Sequence, residues 1–537
     1  MRKKSLAAVP PVYAAARNRQ RRVRLCGVCL GLGVAVTACG ADGHGFGGQD
    51  ASEIQSVQET QESQDAGNVQ DEQEAAGTQK EEEIRKQVLA EMSEEQKNWM
   101  GGLSKEQRLA DFKSLCEGLR ENYPYVKLAK RQAGADLDAL ETAYRAKVEQ
   151  CANDDAFYYV LKDFIGEFSF TGHLDLWGRR YESELASARE YAKEPGQEKR
   201  YKPYVDALDN PVSRKTYAAM TAYYGEVDRL TEEKRAAENS GGSGEEAEAG
   251  EEVTTAGKGG VAAGTKGEVS EIEEAAEMVG NVTAAGAAEE SEAAGEAVSS
   301  NVETKILEPG KTAYVYIDAF DYEQMETDSS VLLPFYEKVR DYENLIIDIT
   351  NNLGGSMLYF DELVVAPLTR ETLTVPGYQL FKDGENNRAF LYVEEGVSSG
   401  LYQPVSELPT MPKLNREDAA DCDWFLREDY AVEPTGDGFD GKIWLLVSEN
   451  NYSSSEYAAM FSKASGFATL VGQTTSGDGI GTDPAYLILP NSGLVVQYSP
   501  MYGVTADGAG SEECGTEPDV VSPEGESTLE TCLGLIR

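Results

Sequence analysis

Apolar residues between Glu81 and Ile165 recur at helical spacing: Leu109, Phe112, Leu115 and Leu119, then Leu137, Leu140, Tyr144 and Val148. Asn122-Tyr123-Pro124 breaks this into two helices. A third apolar run, Ala156 to Leu161, leads into Phe168-Ser169-Phe170-Thr171-Gly172-His173-Leu174-Asp175-Leu176, and residues 180–237 are again helical and charged. From Thr312 the period changes. Residues 313–317 read as a strand, 329–341 as an amphipathic helix, and 344–349 as a mostly apolar strand running into Asn351-Asn352-Leu353-Gly354-Gly355. Residues 442–447 form a buried strand followed by a polar turn and a helix over 454–465, with further strands at 468–472, 485–489 and 493–499. Strands apolar on both faces that alternate with helices predict an α/β core with helices packed on a sheet. The expected order is a helical N-terminal module, 81–237, ahead of a core at 305–537.

The remaining segments lack such periods. Residues 1–38 hold eight basic residues and no acidic one, and the apolar run Leu25 to Ala38 closes in Val36-Thr37-Ala38-Cys39-Gly40. The run is too short for the ~20 apolar residues of a spanning helix and reads as a secretory signal. Its end resembles a bacterial lipobox, which implies cleavage before Cys39, lipidation of that thiol and an extracytoplasmic, membrane-anchored protein. Residues 39–80 and 238–304 are acidic and rich in Gly, Ala, Ser, Glu or Gln, with no sustained apolar period. Such tracts cannot offset their ordering entropy by burial and are expected to be disordered, the first as a stalk and the second as an insertion looped out of a domain. The insertion is cheap, since loop closure costs only about 0.6 kcal/mol per doubling of length.

Composition narrows the function. The chain has 49 Lys+Arg against 94 Asp+Glu, a net charge of −45 over 537 residues. A nucleic-acid partner is excluded by that balance, and so is broad docking on anionic lipid, leaving the lipid anchor as the membrane contact. Much of the charge lies in the two acidic tracts, so it says little about a substrate. With two histidines, no site can use three of them, and neither a metal nor a cofactor is called for. Beyond Cys39 the cysteines are Cys116, Cys151, Cys422, Cys514 and Cys532, without a Cys-x-x-Cys pair. Zinc and redox motifs are therefore not indicated, and one disulfide such as Cys116–Cys151 is compatible with export.

Three places could carry chemistry. Asn450-Asn451-Tyr452-Ser453-Ser454-Ser455-Glu456 joins a buried strand to a helix, where a serine hydroxyl projects beyond the sheet at a helix N-terminus that favours a developing oxyanion. The same residues also spell a capping box, Ser453-x-x-Glu456. Gly354-Gly355, beyond the strand carrying Asp348, frees backbone N–H groups to approach a ligand, although such a pair is ordinarily just a turn. His173 sits in a Gly-His turn, and a lone histidine is ordinarily structural.

Taken in order, these segments acquire a meaning that none has alone. Asp348-Ile349-Thr350-Asn351-Asn352-Leu353-Gly354-Gly355 resembles the Asp-Leu-Arg-x-Asn-x-Gly-Gly segment of the tail-specific (carboxyl-terminal processing) and tricorn-core serine peptidases. Ser453-Ser454-Ser455-Glu456 is similar to that family's Ser-Ala-Ser-Glu motif, and Phe170 to Leu176 resembles its Asp-Gly-His-Thr turn. The resemblance spans 312 to about 523 and, more loosely, 104–176. It implies a crotonase/ClpP-like α/β peptidase core and a nucleophile at Ser453. One branch pairs its serine with a lysine in a Thr-x-Gly-Lys-Gly turn, which here reads Thr475-Ser476-Gly477-Asp478-Gly479, with no amine to act as base. The tricorn-like branch uses a histidine and a late glutamate, which implies His173 and Glu512, with Glu513 the alternative. Gly354, Gly355 and Ser454 would supply the oxyanion-hole N–H groups. Neither a PDZ domain nor a Gly-Leu-Gly-Phe-like carboxylate loop is evident, and the position before the histidine is Gly172 instead of a hydroxyl-bearing residue. The expectation is an exported serine endopeptidase acting on peptide or unfolded protein. The rivals are a catalytically inactive peptide- or wall-binding lipoprotein with the same fold and, more weakly, a crotonase-like acyl-processing enzyme. Oligomeric state and cleavage preference stay open.

Overall fold

The computed structural model describes Lys80, residues 82–241 and residues 301–536. The signal segment, Cys39, the stalk and nearly all of the acidic insertion lie outside these residues. One compact unit holds the described residues through Thr231 and from Asn301 on; the other, 232–296, is described only to residue 241, where it is helical.

The first half of the compact unit is helical: α1 Lys105–Asn122, α2 Val126–Gln132, α3 Leu137–Gln150 and α4 Asp154–Gly166. A short strand β1, Asp175–Leu176, is followed by α5 Tyr181–Tyr191, α6 Glu198–Leu208 and α7 Pro211–Gly241. Local chemistry fixes the helix starts. Ser104 and Gln107 form a reciprocal capping box on α1, Asn153 caps α4, and the Asn210 side chain accepts from the N–H groups of Val212 and Ser213 with Pro211 at the first position of α7. The predicted apolar faces are inward: Phe112, Leu115, Leu119, Tyr144 and Val148 are all buried in one cluster. Cys116 and Cys151 are both free thiols, so the disulfide considered between them is not formed.

The second half runs β2 Val302–Glu308, β3 Thr312–Ile317, α8 Met325–Val339, β4 Asn344–Asp348, β5 Leu373–Phe381, β6 Gln403–Pro404, β7 Trp424–Val432 and β8 Lys442–Val447. It continues with α9 Ser454–Ser465, β9 Thr469–Gly472, β10 Ala485–Ile488, β11 Val495–Tyr498, β12 Tyr502–Thr505, α10 Ser511–Cys514, β13 Val520–Val521 and α11 Thr528–Ile536. The main sheet has the order β13-β9-β8-β4-β3-β2, parallel except for the edge strand β2. Side chains alternate between its faces: Leu345, Ile347, Leu445 and Val447 pack beneath α8 and α9, while Ile346, Trp444 and Leu446 meet Cys532 of α11. This two-sided burial explains why β4 and β8 read as continuous apolar runs. Two antiparallel sheets complete the unit, β12-β5-β7-β6 and β1-β11-β10.

The three-stranded sheet is where the two halves join. β1 pairs with β11 in the register Asp175↔Gln497 and Leu176↔Val496. Buried Asp111 of α1 accepts from the backbone N–H groups of Asn491 and Ser492 and from the Asn491 amide, at 2.7–2.9 Å, which fixes the β10–β11 turn. One cluster of buried side chains spans Phe112, Leu161 and Phe164 of the helices and Val495, Tyr498 and Tyr502 of the strands.

Candidate active site

The carboxyl ends of the parallel strands converge on one place, the usual ligand-binding edge of such a sheet. β4 feeds 349–355, β8 feeds 448–453, and β9 feeds the turn 473–479. Asparagine amides hold the first two loops together. Asn451 Nδ2 donates to the carbonyls of Ile349 and Asn352, and Ser455 Oγ donates to the Asn352 carbonyl at 2.8 Å. The third turn lies alongside, with the Ser453 N–H donating to the Gly477 carbonyl at 3.0 Å.

Ser453 occupies the junction of β8 and α9 at φ 60°, ψ −122°, a backbone conformation disfavoured for a β-carbon-bearing residue, and its side chain makes no capping hydrogen bond. The capping box is therefore not formed. Glu456 instead points into the protein, where the Thr475 and Thr516 hydroxyls donate to its carboxyl and burial pushes its pKa up to about 7. Ser453 is half-buried.

Gly354 and Gly355 adopt φ of 116° and 129°. A Cβ on Gly354 would lie 2.8 Å from the Tyr452 carbonyl oxygen, and one on Gly355 would lie 2.3 Å from that of Phe320, so only glycine lets this loop lie against the Tyr452–Ser454 turn on one side and Phe320 on the other. The two N–H groups differ. That of Gly354 is spent on Asn352 Oδ1 at 2.9 Å, whereas those of Gly355 and Ser454 have no acceptor among the described residues. Gly355 is exposed, and Ser454 opens a helix of 12 residues, so its N–H lies at a positive dipole end. Ser454 Oγ donates to the Gly355 carbonyl at 2.6 Å and keeps the two segments in register.

His173 comes from the helical half, delivered by the β1–β11 pairing two residues beyond it. Its turn is left-handed at Ser169, Phe170, Gly172 and His173. At Gly172, φ 56°, a Cβ would meet the Tyr125 ring at 2.5 Å. The Ser499 N–H donates to the Gly172 carbonyl at 2.6 Å. The imidazole lies over the ring of Tyr452, centroids 4.9 Å apart, beside Ser453 in the chain. His173 Nδ1 is 2.6 Å from Asp478 Oδ2 and 3.0 Å from Ser499 Oγ, and among the described residues Nε2 has no hydrogen-bond partner. Ser453 Oγ likewise has none among the described residues.

The carboxylate on the imidazole is thus Asp478, not the expected Glu512. Glu512 accepts from the Gly172 N–H and from the Tyr452 hydroxyl, both at 3.0 Å, one layer behind the histidine. Burial, and then the nearby charge of Asp478, raise its carboxyl well above the usual range. Glu513 turns the other way and pairs with Arg131 of α2 at 3.1 Å. Asp478 is almost fully buried and also accepts from Ser499 Oγ and from the Tyr125 hydroxyl, both at 3.0 Å. Tyr125, Tyr452 and Ser499 carried no motif in the sequence. Asp478 stood in plain view as the residue replacing a lysine, and the clue to its contact with the imidazole was its place between two glycines in a turn that lies alongside Ser453. Among the described residues no group of His, Cys, Asp and Glu is arranged to hold a metal ion.

Residues 311–522 match peptidase family S41, and residues 104–166 match the tricorn protease C1 domain. No curated protein matches the chain. Among solved structures, a putative peptidase from Parabacteroides merdae is 16% identical, with 80% of this chain and 96% of that one covered at a TM-score of 0.43. A lipoprotein from Streptococcus agalactiae is 12% identical, with 80% and 96% covered at 0.38, and mature CPAF complexed with lactacystin is 14% identical, with 78% and 94% covered at 0.42. The S41 match contains the Gly-Gly loop, Ser453 and Asp478, and the helices that lead to His173 carry the C1 match; residues 311–522 are an S41 peptidase core, and the protein is a serine-type peptidase.

Proposed function

We propose that this protein is an exported, lipid-anchored endopeptidase in which Ser453, His173 and Asp478 form the catalytic triad. The observation that carries the reading is the strained, uncapped Ser453 next in sequence to Tyr452, whose ring meets an imidazole held at Nδ1 by a buried carboxylate. Such a carboxylate favours the tautomer protonated at Nδ1 and leaves Nε2 basic. Ser453 Oγ attacks the peptide carbonyl while Nε2 takes its proton, giving a tetrahedral intermediate and an imidazolium that Asp478 stabilises. The proton then passes to the leaving amine, the C–N bond breaks, and water hydrolyses the acyl-enzyme by the reverse sequence. The free N–H groups of Gly355 and Ser454 receive the oxyanion, each worth about 3 kcal/mol in the transition state. Glu512 supports the histidine turn from behind and does not serve as the third triad member. Cys39 is the proposed lipidation site, supported by the basic and apolar run before it.

Cleavage of an unfolded protein substrate tests the reading. Ser453→Ala and His173→Ala should each lose about 10⁴-fold or more in kcat. Undiminished cleavage by Ser453→Ala would refute it. A wild-type protein that binds peptide without hydrolysing it would favour the binding-lipoprotein alternative.

A further inference from the structure

Phe170 is a large apolar residue, 46% exposed, three positions before the histidine. Exposed phenylalanines are common enough to need no explanation by themselves. This one is held at φ 62°, ψ 6°, a left-handed conformation costly to a residue with a side chain. Its ring meets those of His173 and Tyr452, each at a centroid distance of 5.8 Å, at interplanar angles of 56° and 54°. The turn thus spends backbone strain to set an aromatic face beside the imidazole while leaving about half of it open to solvent.

In a serine peptidase the imidazole hands its proton to the leaving amine, so the residue that follows the scissile bond passes along the imidazole's flank. Here the next surface on that flank is the Phe170 ring. We propose that Phe170 is a specificity-determining residue: its ring receives the side chain on the leaving-group side of the cleaved bond, and the enzyme favours an apolar residue there. The inference rests on the Ser453–His173 reading.

Internally quenched peptides that differ only at the position after the scissile bond, with Leu, Gly or Asp, test it on the full-length protein. The wild type should cleave the Leu peptide with a kcat/KM about tenfold above the Gly peptide, the worth of a partly covered apolar side chain. In Phe170→Ala that ratio should fall close to one, and in Phe170→Leu most of it should persist. Phe170→Asn, which tolerates a left-handed backbone, deletes the ring while keeping the turn and should behave as the alanine variant does. A wild type with no preference at this position, or an unchanged Leu-to-Gly ratio in the alanine and asparagine variants, would overturn the proposal. Because each ratio is internal to one protein, a general loss of activity does not imitate the expected result. Fluorophosphonate labelling of the wild type separately reports on the serine: failure to label would remove the nucleophile and the proposal together, whereas labelling with unchanged ratios removes only the proposal.

Discussion

Two acids, the buried Asp478 and the half-buried Glu512, flank the histidine turn, and they touch different parts of it: one the ring nitrogen, the other the backbone N–H of the preceding residue. That division makes their substitutions separable. Asp478→Asn should lower kcat by about 10⁴-fold, because an amide that donates to Nδ1 stabilises the wrong tautomer. Glu512→Gln should cost about tenfold to a hundredfold, the scale of a slightly misplaced base. The kcat of both variants on a single quenched peptide checks this, and a larger loss at Glu512 would exchange their roles. In the proposed triad, Ser453 and His173 were named by motif spacing, which fixes residue types at positions. Asp478 was not, because read against a lysine turn it registers as a missing base. Its use depends on which side chain the turn faces, and that follows from the β1–β11 pairing far from the motif.

At the scale of elements, α9 shows where local rules yield to tertiary ones. Ser453-x-x-Glu456 spells a capping box, yet the backbone at φ 60° carries the serine away and the glutamate packs against the Thr475 and Thr516 hydroxyls. Glu456 has a pKa raised to about 7 in the folded protein. Its neutral form is favoured on folding, so its contribution to stability is complete below the unfolded value near 4.5 and is lost as pH rises from there to about 7. The unfolding free energy of the wild type relative to Glu456→Gln should therefore decline across that window and level off above it, as urea denaturation at pH 4, 6 and 8 will show. A flat difference would mean that Glu456 is charged in the fold. Strands β3, β4, β8 and β9 were legible because two-sided burial writes an apolar run. β5 and β7 were missed: β5 is interrupted by Pro376-Gly377, and β7 carries three consecutive charged residues, Arg427, Glu428 and Asp429, which break its apolar period.

At the scale of the whole molecule, the helical half and the sheets of the compact unit share one buried cluster, and the proposed site draws His173 from one and Ser453 from the other. Sequence periods distinguished the two halves but could not show this fusion, since Tyr498 and Tyr502 do not announce which partner covers them. The compact unit should accordingly unfold in a single transition, with fluorescence and circular dichroism coinciding in denaturant. Asp111→Ala, which strands buried N–H groups of Asn491 and Ser492, should lower its stability by about 2–3 kcal/mol. Two resolved transitions would indicate that the halves fold independently.

The central claim is that a hydroxyl at Ser453 is activated by an imidazole from the distant front of the chain. Its most direct measurement is fluorophosphonate labelling of the full-length protein, with the modified residue located by peptide mass. The account predicts a single adduct on Ser453, absent in Ser453→Ala and formed at least about 10³-fold more slowly in His173→Ala. An adduct on another residue, or equal labelling rates in the wild type and the histidine variant, would contradict it.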